Sequence, residues 1–232
     1  MLKRKVWIIA SIICIGIIGG GVCVHAGRND IALVKEESRE VAGTQDNKII
    51  NDTYLDSYSI ENLQNDLETY ENEKDVSFVG KNIMISDTEI ESYILSYENQ
   101  GMKKAEAQKE AIAYAQKRNA LYVAARNAGF DVTDEELWDY LDNLKATLEK
   151  DESGIYQAAM EGFESEDAYW KFEYEVYQVN LPIEKYVSYK EKEYAAEHNL
   201  EMGTLEFDQQ WSEEFERLKM QLVENQNFIS VE

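Results

Sequence analysis

Beyond residue 28 the sequence holds few side chains able to make or break bonds. His198 is the single histidine there, and cysteine is absent, because Cys14 and Cys23 both lie within the first 24 residues. A nucleophile with its base needs more partners than that. Carboxylate pairs such as Glu135 with Glu136, or Glu213 with Glu214, are plentiful, but with 46 acidic residues in 232 they read as a solvated face rather than as an acid and base pair. Calcium-loop spacing, a glycine-rich phosphate loop and a His-Glu-x-x-His pattern do not occur. The residues therefore predict a protein without enzymatic activity, with no catalytic residue, no cofactor and no metal.

The one stretch that rises above core building is aromatic. Tyr169, Trp170, Phe172, Tyr174, Val176, Tyr177, Val179, Leu181, Ile183, Tyr186 and Val187 occupy more than one face of a single helix, so packing on one side does not use them all. Two readings stay open. Either the residues are shared among neighbouring helices, or Tyr169, Phe172, Val176 and Tyr186 line an apolar groove that captures unfolded chains. Tyrosine suits the second because it couples apolar area to a wettable end.

Charge limits the partners further. Setting Lys3, Arg4, Lys5 and Arg28 aside from the 23 basic residues leaves 19 against 46 acids, a balance that repels a phosphate backbone and excludes nucleic acid as a partner. The three cations at positions 3 to 5 precede an apolar run from Val6 to Val24, which as a helix spans about 28 Å, close to the roughly 30 Å core of a bilayer. Positive charge before the run keeps the amino terminus in the cytoplasm and places the chain beyond Arg28 outside. Residues 1–28 thus read as a membrane anchor, the bilayer being met through residues 6–24. Cleavage after Ala26 stays open, since Val24-His25-Ala26 fits a signal-peptide site.

Residues 29–75 read as an acidic linker with isolated apolar positions at Ile49, Ile50, Tyr54, Leu55 and Tyr58. From Val76 the pattern changes. Alternation about Gly80 predicts a short hairpin. Ser86-Asp87-Thr88-Glu89 is a capping box, with Ile85 and Ile90 placed as a hydrophobic staple, and it predicts a helix that ends near Gly101. A longer helix from about Lys103 to Ala128 ends at Gly129. Val132-Thr133-Asp134-Glu135-Glu136-Leu137 repeats the capping device before Trp138, Leu141, Leu144 and Leu148. Ser165 starts the aromatic helix, which the only proline, Pro182, is expected to kink or divide. Phe207, Trp211, Phe215, Leu218 and Leu222 define a C-terminal helix over 205–225, and 228–231 reads as extended. The fold class is all-α, with residues 76–232 as one helical domain.

Leu121-Tyr122, Ala125, Ala128-Gly129-Phe130, Val132-Thr133 and Glu136-Leu137 resemble the core of the SurA and PrsA family of exported chaperones, in their SurA N-terminal-like domain. The order of elements from about Val76 to Val231 resembles that family too. The resemblance implies a membrane-tethered, extracytoplasmic protein whose partners are unfolded or partly folded exported polypeptides. Family members with prolyl isomerase activity carry a parvulin domain between the aromatic and C-terminal helices. Here only residues 195–204 lie between them, so isomerase activity is not implied. The alternative is a non-catalytic scaffold subunit of a cell-envelope complex.

Overall fold

The computed structural model describes residues 76–150, 155–160 and 163–231; the predicted anchor and linker lie outside them. Helix dominates the described residues. In chain order they form β1 (Val76–Val79), β2 (Met84–Ser86), α1 (Asp87–Asn99), α2 (Lys104–Asn127), α3 (Asp134–Leu148), α4 (Ile155–Met160), α5 (Glu166–His198), α6 (Leu205–Gln226) and β3 (Ile229–Ser230). The sheet is antiparallel in the order β2-β1-β3, with Phe78 opposite Ile85 on one side and Ser230 on the other. Gly80 closes the hairpin, its N–H donating to the Ile83 carbonyl at 2.8 Å. A Cβ on Gly80 would lie 2.7 Å from the Phe228 ring, so the glycine is there to admit that ring.

Local chemistry marks four helix starts and three helix ends, while α2 begins after Lys103 without a side-chain cap. The hydroxyls of Ser86, Thr133, Ser165 and Thr204 accept from the backbone N–H three residues on, satisfying donors that the first turn leaves free. At the other end, Gly129 takes φ +82°, its N–H donating to Arg126 while the Phe130 N–H donates to Ala125, which completes a Schellman stop. Gly101 ends α1 in the same way, and Asn199, at φ 53°, ends α5.

Three apolar clusters hold the elements together. Ile85, Ile90, Ala111 and Ala115 join the sheet to α1 and α2. Tyr114, Leu121, Ala125, Ile183, Tyr186 and Phe215 join α2, the second half of α5, and α6. Leu137, Leu141, Tyr156, Ala159, Tyr169, Trp170, Tyr177 and Leu181 join α3 and α4 to the first half of α5. The 33 residues of α5, about 50 Å of helix, thus belong to two cores. Division at Pro182 does not occur: α5 runs unbroken from Glu166 to His198, and Pro182 is itself buried. A proline inside a helix costs about 3 kcal/mol, and packing along both halves of the helix outweighs it.

Candidate functional site

The two cores meet α5 on different sides. At 3.6 residues per turn, the stripe formed by Tyr169, Trp170, Tyr177 and Leu181 lies roughly a third of a turn from the one formed by Val179, Ile183, Tyr186 and Val187. This is how one helix uses so many apolar residues, and it corrects the groove expected of them. Tyr169 is 1% exposed, with its ring 5.2 Å from Phe163 and 5.0 Å from Trp170 in edge-on contact. Tyr186 is 6% exposed, with Phe130 at 5.9 Å. Both are core residues, because two partner surfaces, rather than one, claim the aromatic helix.

Phe172 and Val176 fall elsewhere. Both are half-buried, Phe172 against Phe163 at 5.4 Å and Val176 against the α3–α4–α5 cluster. Tyr174, two residues beyond Phe172 and so about 200° around the helix, lies on the opposite flank. There it stacks on Trp138 at 4.8 Å and donates to Asp134 at 2.8 Å. Trp138 is 43% exposed, although the spacing of α3 groups it with core leucines. The structure therefore brings two aromatic flanks to the α3–α5 lobe, one at Trp138 with Tyr174 and one at Phe163 with Phe172 and Val176.

The seam between α3 and α5 is polar at its rim. Lys185 meets Glu136 at 2.6 Å, Lys145 meets Glu166 at 2.5 Å, and the Tyr140 hydroxyl donates to Glu184 at 3.1 Å. These lysines and carboxylates are substantially exposed, so the pairs align the helices more than they stabilise them. Among the buried residues of α5 that flank the seam lies Glu173, a residue that sequence reasoning missed. It is 3% exposed, and its Oε1 has no hydrogen-bond partner among the described residues. Burial pushes its carboxyl up to about 7, opposed only by a hydrogen bond from Tyr169. The signal was the spacing: Glu173 lies four residues from both Tyr169 and Tyr177, in the middle of the buried stripe.

Elsewhere the surface offers a second concavity of about 330 Å3, where the β1–β2 turn meets the carboxyl ends of α2 and α6. Lys81, Asn82, Asn127, Asn225 and Gln226 line it beside Ala120, Val123, Ala124 and Leu222. His198 is exposed at the end of α5, its ring 4.1 Å from Tyr194. Among the described residues no group of three or more His, Cys, Asp or Glu is placed to hold a metal ion, and no helix is long and apolar enough to cross a membrane. Compared with family models, curated proteins and solved structures, the chain matches none. What the site does must be argued from its own side chains, which offer partly exposed apolar rings on a strongly acidic chain.

Proposed function

We propose that this chain is a membrane-tethered, extracytoplasmic protein that holds unfolded exported polypeptides, as the SurA and PrsA family does, without isomerase activity. The observation that carries the reading is the pair of half-open aromatic flanks on the α3–α5 lobe, Trp138 with Tyr174 and Phe172 with Val176. Rings of this kind give apolar contact to any chain, and the Trp138 indole adds an N–H donor, which is what unspecific, weak capture requires. The acidic surround adds attraction for basic segments and repulsion between copies.

Aggregation suppression with several unrelated unfolded clients tests it. The parent should protect all of them, and the double variant Trp138→Ser/Phe172→Ser should protect them less while remaining folded. Protection of none, with one protein co-purifying in fixed ratio, would favour the scaffold subunit instead.

A further inference from the structure

Glu173 takes no part in either aromatic flank, yet it occupies one of the most enclosed positions in the lobe. A carboxylate taken out of water without a partner is costly, and the group meets that cost by keeping its proton. The ionisable groups of the lobe are engaged with one another. On α3, Glu136 and Lys145 are engaged with Lys185 and Glu166, Asp134 accepts from Tyr174, and the Tyr140 hydroxyl donates to Glu184. On α4, the Tyr156 hydroxyl donates to Glu166 and accepts from the Trp170 indole. On α5 itself only Tyr169 bonds to the carboxyl, and one hydrogen bond to one oxygen leaves Oε1 bare.

We propose that Glu173 is a proton-operated latch: its neutral carboxyl lets α3 and α4 close over the first half of α5, and its ionisation loosens that lobe and bares Tyr169, Trp170 and Tyr177. No other carboxylate among the described residues is buried in this way. The other core that α5 enters contains a fully buried lysine, Lys219, but its ammonium is held by Glu216 at 2.5 Å and lies 4.4 Å from the Phe215 ring centre. Opening is therefore confined to α3, α4 and residues 166–179, because Arg118 on α2 donates to Asn180 at 3.1 Å and holds α5 there. The inference goes beyond capture of polypeptides and holds whatever the lobe binds, because it concerns when the aromatic core is accessible. A displacement of the carboxyl from 4.5 to about 7 corresponds to a change of roughly 300-fold in the closing equilibrium once both states are ionised.

Hydrogen exchange of the full chain between pH 5 and pH 8, corrected for the intrinsic pH dependence of exchange, tests it. Segments 134–148 and 166–179 should lose protection as pH rises toward 7 while 104–127 keeps its own, and Glu173→Gln should hold the lobe closed across the range. Equal behaviour of lobe and α2, or the same pH response in the glutamine variant, would overturn the latch. Should that variant fail to fold, carbon NMR of the wild-type Glu173 carboxyl decides. A midpoint near 7 together with wild-type lobe protection that falls over the same pH range supports the proposal; a midpoint between 4 and 5, or protection that does not follow the carboxyl, refutes it.

Discussion

The two cores that share α5 handle buried charge in opposite ways. Where α1, α2 and α6 meet α5 from Asn180 onward, buried polar groups are answered by one another. Glu89 Oε1 accepts from Asn119 at 2.9 Å and faces Arg118 at 3.5 Å, while the Arg118 Nε donates to Asn180 at 3.1 Å, so three helices are tied through one network. Lys219 is lowered by burial but keeps its partner, and Glu216 takes Lys117 on its other oxygen at 3.1 Å. Where α3 and α4 close on the first half of α5, Glu173 has one hydrogen bond and an unanswered oxygen. A satisfied network fixes one arrangement, whereas an unsatisfied group leaves the balance between two arrangements open to a proton. The same helix is thus a rigid strut at one end and an adjustable cover at the other.

Removing the strut should have the largest effect. A chain ending at Glu206 loses Phe207, Trp211 and Phe215 from the α2–α5–α6 core together with the β3 strand. It should show no cooperative melt by calorimetry, and a melting temperature within a degree or two of the parent would show that α6 is an appendage.

Within the other core, Tyr169→Ala should cost about 3 to 5 kcal/mol, as truncating a buried aromatic does, whereas Phe172→Ser on the flank should cost clearly less. Urea titrations of the two variants separate them. Equal losses would mean that the lobe has no distinction between core and flank.

The third test concerns pH. The folded carboxyl of Glu173 holds its proton up to about 7, against 4.5 in the unfolded chain. Its contribution to stability is therefore full below about pH 4.5 and declines as pH rises to 7, by roughly 3 kcal/mol, after which it is flat. Denaturant midpoints of the parent against Glu173→Gln at pH 5 and pH 8 read the difference, which should appear in the parent alone. The smallest effect is at the rim, where Lys185→Ala breaks a partly exposed pair with Glu136 and should change stability by less than about 1 kcal/mol.

Much of the fold was legible because capping is local. Ser86, Thr133 and Ser165 announce helices within three residues of their starts, and Gly129 ends one by taking a conformation that other residues avoid. Thr204 caps α6 just as well but lies in a polar interval without a carboxyl partner three residues on, so its start was read from Phe207 and Trp211 instead. The candidate site was less legible. A helical period says which residues share a face, not how many surfaces will claim that helix, so Tyr169 and Tyr186 looked superfluous when each was needed by a different core. Glu89 shows a related gap: the capping box accounts for its N–H, but only tertiary packing could reveal that Oε1 serves Asn119 and Arg118 on α2. Glu173 was hidden by company, one of 46 acids, although among the described residues it is the only buried carboxylate.

Site-specific photo-cross-linking tests the central claim most directly. A benzophenone side chain placed in turn at Trp138, at Phe172 and at Met220, an exposed position on α6, would be irradiated in the full chain with an unfolded client present. The account predicts cross-links from Trp138 and Phe172, with clients of unrelated sequence, and little from Met220. Equal yields at all three positions, or none from the α3–α5 lobe, would contradict it.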